Sequence, residues 1–233
     1  MLIPTYDYFE NLRQYNQWFA STTRTFWENP MFGLFPSPIP STFAAWGKVT
    51  EHSLSRITTK PDWGIDSVVS EGIEYLVALE TIKELPFCKL IKFKSTRRKK
   101  INRKVLIIAP MSGHYATLTR NTVISLLPNC DVYVTDWKNA RDVPFSAGKF
   151  DIEDFTKYLV DFFRDLSPDL NVMAVCQPAP LALAAAAITS ERFPEFNPKS
   201  LTLIGGPIDP DANPTDVTDF GRRTSMEALE STV

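Results

Sequence analysis

Histidine is nearly absent from this sequence: only His52 and His114 occur in 233 residues. The three cysteines, Cys88, Cys130 and Cys176, form no CxxC pair and no even framework. A Cys/His metal site and a disulfide scaffold are therefore not expected, and neither is a metal or other cofactor. Free thiols fit a reducing compartment. Charge of neither sign dominates; a formal net charge of −2 predicts no polyanionic partner. Long hydrophobic runs are missing too. The most apolar stretch, Leu170 to Ile188, is interrupted by Asn171, Gln177, Pro178 and Pro180, so no membrane span is expected. The opening MLIPTYDYFE carries Asp7 and Glu10 where a signal peptide has a basic start and an apolar run. Together these absences predict a cytoplasmic protein.

What is present is ordinary for a globular chain: 44% hydrophobic and 22% charged residues, enough for one large domain or one domain plus an extension. Residues 1–60 read as a helical extension and residues 61–233 as an α/β domain. In the extension, Tyr8, Leu12, Tyr15, Phe19, Thr22 and Phe26 recur every three to four positions and make one apolar helical face. That face is expected to pack on the main domain, the alternative being adhesion to a hydrophobic surface. Asn29-Pro30 ends the run, and the proline-rich FGLFPSPIP (32–40) reads as a non-helical connector. Ser41 or Thr42 is the expected cap of a second helix reaching about Ile57 and ending near Lys60-Pro61.

From Asp66 to Lys94 the period shortens to two. Val68-Val69, a Glu71-Gly72 turn, then Ile73, Tyr75, Val77 and Leu79 predict an antiparallel hairpin, with Phe87–Phe93 a further strand. Arg97, Arg98, Lys99, Lys100, Arg103 and Lys104 follow. Without interleaved aromatics or a basic excess elsewhere, this run reads as a solvated loop rather than a nucleic-acid site. Beyond it, short apolar strands (Val105–Ala109, Asp131–Thr135, Asn171–Val175, Leu201–Ile204) alternate with helical segments (Thr117–Leu127, Asp151–Leu166, Pro178–Ser190). That alternation predicts a mostly parallel sheet flanked by helices, with ligands bound beyond the carboxyl ends of its strands. Four segments then share one edge: 110–116 (PMSGHYA), 136–144, 176–180 and 205–211 (GGPIDPD).

Cys176 stands between a buried strand and an alanine-rich helix. Pro178 and Pro180 fit there only in a first helical turn, where amides lack partners anyway. The positive end of a helix favours a thiolate, and the same turn is the nucleophile elbow of α/β-hydrolases. The usual elbow, G-x-S-x-G, has small residues two before and two after its serine. Here Ala174 keeps the small size and Pro178 departs from it. Gln177 is the expected first oxyanion donor through its N–H, and Met111 and Ser112 supply candidates for the second. Gly113, His114 and Tyr115 are candidate substrate-pocket residues. The pattern by itself leaves two possibilities open, a catalytic thiol and an inert cysteine.

The runs APMSGHYATL (109–118), LLPNCDVYVTDW (126–137), VPFSAGKFD (143–151), AVCQPA (174–179) and IGGPIDPDANP (204–214) resemble the intracellular poly(3-hydroxybutyrate) depolymerases. Asn29-Pro30, KPDWG (60–64) and LPFCKL (85–90) extend the similarity over nearly the whole chain. The resemblance implies an α/β-hydrolase fold and a cytoplasmic, granule-associated enzyme. It also implies that Cys176 attacks the polyester carbonyl to give an acyl-thioester. It further implies a catalytic Asp and His beyond the GGPID segment, yet no histidine follows Cys176. On that ground the final strands and lid are expected to be missing, with a second polypeptide supplying acid and base. Local substitutes are His114 as base and Asp209 or Asp136 as acid. Two alternatives stay open: a non-catalytic granule-binding protein, and a small esterase or thioesterase using Cys176 and His114.

Overall fold

The computed structural model describes residues 3–34, 37–55, 60–96, 103–111 and 115–231. The basic residues 97–100, the expected helix end at Ile57, and the candidates Ser112, Gly113 and His114 lie outside the described residues. The chain divides into two compact units, Met1–Lys60 with Phe220–Val233, and Pro61–Asp219.

The first unit is built on a pair of helices, α1 (Ile3–Trp27) and α2 (Ile39–Leu54). Helix α2 starts earlier than Ser41 or Thr42 and ends before Ile57. Pro40 lies in its first turn, where a missing amide costs nothing. The Ser41 and Thr42 hydroxyls donate to the Pro38 carbonyl, at 2.9 and 2.8 Å, instead of capping. The connector is also less irregular than its prolines suggest, since Pro30–Leu34 forms a 3-10 turn. Two short helices, α6 (Asp216–Arg223) and α7 (Met226–Glu230), come last. No helix among the described residues is long and apolar enough to cross a membrane.

The second unit holds a seven-stranded sheet: β1 (Ser67–Ser70), β2 (Ile73–Glu84), β3 (Cys88–Ser95), β4 (Lys104–Ile108), β5 (Asp131–Trp137), β6 (Leu170–Val175) and β7 (Ser200–Ile204), in spatial order β1-β2-β3-β5-β4-β6-β7. Strands β1 to β3 form an antiparallel ribbon that pairs antiparallel with β5. The other pairings, β5–β4, β4–β6 and β6–β7, are parallel. Glu71 and Gly72 turn the first hairpin with φ of 55° and 77°, as a tight turn between right-twisted strands requires. Helices α3 (Arg120–Leu126), α4 (Ile152–Leu166) and α5 (Ala179–Arg192) make the crossovers. The segment expected as one helix over Thr117–Leu127 is split, its first turn being 3-10 at Ala116–Thr119.

Alternation within β4 separates two cores. Leu106 and Ile108 pack with Phe155, Leu159, Phe162 and Phe163 of α4 and with Ala182 and Ala185 of α5. Val105 and Ile107 face a second cluster containing Trp63, Ile65, Phe93, Val123 and Leu127. Both faces of the central strands are therefore dry, which explains their unbroken apolar sequences. A mixed sheet with helices on both faces, entered through an antiparallel ribbon, is an α/β-hydrolase-like fold.

Helix α4 begins with a capping box. The Asp151 carboxylate accepts from the amides of Glu153 and Asp154 at 3.0 and 3.2 Å, and Asp154 accepts from the Asp151 amide at 3.1 Å. Lys149 and these amides hold the Asp151 carboxyl below the usual carboxylate range. A depressed folded value adds stability above the unfolded value, and that stability is lost as pH falls through the folded one. Asp151→Ala is therefore expected to lower the thermal midpoint at neutral pH and to converge on the wild type in acid. Thermal scans across that pH range provide the check.

Candidate active site

Strands β4 and β6 are neighbours at the sheet centre, and the chain leaves β4 for one side before crossing to the other. Their register pairs Ile108 with Ala174. The 109–111 segment and Cys176 therefore emerge side by side from carboxyl ends at a topological switch point, where open α/β sheets bind ligands. The end of β4 is anchored to β5 twice. The Ala109 amide donates to Thr135 Oγ1 at 3.0 Å, and Trp137 Nε1 donates to the Ala109 carbonyl at 2.8 Å. Trp137 in turn stacks on Phe155 with ring centroids 4.2 Å apart.

Cys176 itself has φ +65°, a left-handed conformation that costs a non-glycine residue roughly 1–2 kcal/mol. Two contacts hold it there. Its amide donates to the Ile204 carbonyl at 2.7 Å, and its own carbonyl accepts from the Ala179 amide at 3.0 Å. Helix α5 starts directly after this turn, with Pro178 at φ −74°. Proline's fixed angle suits that position, so the loss of glycine's freedom two residues after Cys176 costs the turn nothing. Ala174, two residues before, is fully buried.

The loop after β7 braces the same turn from the other side. Gly205 takes φ +60°. A Cβ on Gly206 would collide with the Ala179 side chain and stand 2.9 Å from the Cys176 carbonyl oxygen. The GGPID segment was recognisable in sequence as an edge loop. Its part in holding Cys176 was not, because nothing in the sequence pairs residues 204–206 with 176–179.

The remaining candidates are distributed as follows. Gln177 is exposed at the mouth of α5, and Tyr115 is half-buried just before the 3-10 turn. Met111 is half-buried against the α4/α5 core. Asp136 lies within β5, not after it, and is buried opposite Lys89. Asp209 accepts from the amides of Asp211 and Ala212 at 3.0 and 3.2 Å, closing its own turn. His52 is exposed in the last turn of α2. Among the described residues no group of three or more His, Cys, Asp and Glu is clustered to hold a metal. The apolar residues Leu118, Phe145 and Ile208, none of them singled out from the sequence, are exposed on or just beyond the edge segments. Their only signal was membership of the quoted runs.

The three thiols differ in access. Cys88 is buried, Cys130 partly buried, and Cys176 exposed. Burial pushes the Cys130 thiol up, with Arg103 opposing and Asp131 reinforcing the shift.

No protein-family model and no curated protein matches this chain. Solved structures do. A hyperthermophilic esterase from the archaeon Pyrobaculum calidifontis is 18% identical, aligned over 60% of this chain and 46% of its own, with a TM-score of 0.40. The type II thioesterase BorB from the borrelidin biosynthetic cluster is 17% identical over 64% of this chain and 61% of its own, TM-score 0.40. The Francisella virulence factor BioJ is 14% identical over 85% and 66%, TM-score 0.45. The present chain thus spans about half the length of the Pyrobaculum esterase, whose aligned share is 46%.

Two outcomes follow from this geometry. Iodoacetamide at neutral pH is expected to alkylate Cys176 before Cys88 or Cys130, with peptide mapping giving the order. Prior labelling of Cys130 would contradict the difference in access. Gly206→Ala is expected to destabilise the fold by about 1–3 kcal/mol in denaturant titration, because Ala179 and the Cys176 turn leave no room for a methyl group.

Proposed function

We propose that this protein is an ester hydrolase acting through Cys176, and that its substrate is poly(3-hydroxybutyrate). One observation carries the chemistry: an exposed thiol held at φ +65° between β6 and α5, the strand–turn–helix placement of a hydrolase nucleophile. The substrate rests on the similarity of the edge segments to the intracellular polyester depolymerases. In the proposed reaction the Cys176 thiolate forms a bond to the ester carbonyl carbon. The C–O bond then breaks, and the alcohol leaves with a proton from a general acid. Water next cleaves the thioester, releasing a hydroxyacid carboxylate and restoring the thiol. Candidate oxyanion donors are the amides of Gln177 and of the segment beginning at Met111.

General acid and base are the open part of this scheme. The resemblance implies an Asp and a His outside these 233 residues, and a polypeptide carrying both tests that assignment. Co-expression with such a polypeptide, encoded downstream, is expected to yield hydrolysis of amorphous polyester granules. Cys176→Ala should then lower turnover by at least about a thousand-fold. Inactivity of the mixture would remove this assignment of the acid and base.

A small esterase using Cys176 and His114 is a second reading, favoured by the pairing of β4, which precedes residue 114 in the chain, with β6, which precedes Cys176. It requires that the purified chain hydrolyse a soluble ester alone and that His114→Ala stop it. Granule binding without turnover is a separate possibility, favoured by exposed aromatic residues in the first unit.

A further inference from the structure

Ala109 is where the chain leaves β4, and both of its backbone groups are met by side chains of β5. The ladder between β4 and β5 ends at Ile107 with Val134, and the one between β4 and β6 ends at Ile108 with Ala174. Residue 109 lies beyond both. Strand β5 runs further, because β3 keeps pairing with it as far as Trp137. Ala109 is fully buried, where an amide or carbonyl without a partner carries a desolvation penalty. Thr135 and Trp137, alternate residues on one side of β5, supply both partners. The Ala109 amide donates to Thr135 Oγ1 at 3.0 Å, and its carbonyl accepts from Trp137 Nε1 at 2.8 Å. Thr135 is itself fully buried, and the Trp137 ring is held by its stack on Phe155.

Pro110 comes next; it is buried and has no amide hydrogen. The first backbone donor beyond Ala109 is therefore that of Met111, the candidate oxyanion donor. In the paired strands, Met111 stands three residues beyond Ile108 and Cys176 two beyond Ala174. A donor serves a developing oxyanion only if it is fixed before the reaction, and an error of about an ångström costs up to about a hundred-fold in rate. With residue 109 gripped at both groups and φ of residue 110 restricted by its ring, little freedom remains between the sheet and the Met111 amide.

We infer that Thr135 and Trp137 are positioning residues for acyl transfer to Cys176. Through Ala109 and Pro110 they fix the Met111 amide where the substrate's carbonyl oxygen becomes negative. This rests on the reading of Cys176 as an ester-cleaving nucleophile, but not on a polymer substrate or on any acid and base.

Two reactions of the same thiol separate this role from support of the fold. With p-nitrophenyl butyrate the Cys176 thiolate bonds to the carbonyl carbon, and the carbonyl electron pair moves onto oxygen. Collapse of that oxyanion expels p-nitrophenolate with the C–O electron pair, and no proton donor is needed. With iodoacetamide the thiolate displaces iodide from a saturated carbon, and no oxygen gains charge. Single-turnover acylation of the full chain, read as p-nitrophenolate release and located by peptide mass, is compared with its alkylation. Trp137→Phe keeps an aromatic ring and removes the donor; Thr135→Val keeps the shape and removes the acceptor. Each is expected to slow acylation at least about tenfold while alkylation of Cys176 stays within about twofold. Thr135→Ser, which keeps the hydroxyl, should acylate within about threefold of the parent. Should Trp137→Phe lose its circular dichroism, the two Thr135 variants decide.

Equal loss of both rates, or unchanged acylation, overturns the inference. Thr135→Ser as slow as Thr135→Val overturns it too, since packing and not the hydroxyl would then be responsible. A parent chain that is alkylated at Cys176 but not acylated there removes the nucleophile reading itself, and the positioning role with it.

Discussion

The hydrogen bond from the Cys176 amide to the Ile204 carbonyl is the constraint on which the candidate site depends. A left-handed cysteine is unfavourable by itself and persists only where its surroundings over-determine it. Here three elements do so: β6 delivers the residue, the first turn of α5 takes up its carbonyl, and β7 with Gly206 closes over the turn. The exposed thiol is therefore presented on a rigid support, in a shape that neither the strand nor the helix would adopt alone. The same support ties the geometry at residue 176 to the packing of β7 (Ser200–Ile204), a strand beyond helix α5 in the chain.

Rigidity at that turn is inherited from the sheet. Strand β4 is buried on both faces, by the α4/α5 layer and by the cluster around Trp63 and Val123, and β6 is buried on one face with Met173 and Val175 half-buried on the other. Their register is fixed by side-chain fit, since a slip of one residue would present each close-packed layer with side chains shaped for the other. Fixed register is what sets the 109–111 segment beside Cys176. The anchors from Thr135 and Trp137 add a second restraint at the carboxyl end of β4.

The two units differ in how much of their apolar surface is covered. In the central strands of the sheet unit, apolar residues are covered on both sides, while β2 leaves Ile73, Leu76 and Leu79 exposed. In the helical pair, Ala20, Gly47 and the Arg24–Glu51 ion pair lie between the helices beside a stack of Trp27 on Phe43, and the aromatic stripe of α1 is exposed. A period of three to four identifies a helix in either case. It does not reveal whether the apolar face will be covered, because that depends on how closely the neighbouring helix approaches. Gly47 sets that approach here, and the sequence offered no reason to single it out.

Much of the sheet was legible in advance because buried strands and amphipathic helices have periods that survive in sequence. Strand positions β1 to β7 and the bounds of α4 fall within a few residues of the expected ones. Helix α2 and the split before α3 departed from expectation, since prolines and hydroxyls act through local geometry that propensity only averages. Asp136 was expected in a loop and lies within a strand because β5 keeps pairing with β3 to its last residue. By itself the sequence determined the alternation of strands and helices, the position of Cys176 at a strand–helix junction, and the scarcity of histidine after it. Only tertiary structure decided that Cys176 is left-handed and exposed, that Gly206 leaves no room beside it, and that the aromatic stripe faces outward. Those three features arise from contacts between segments distant in the chain, and no local pattern encodes them.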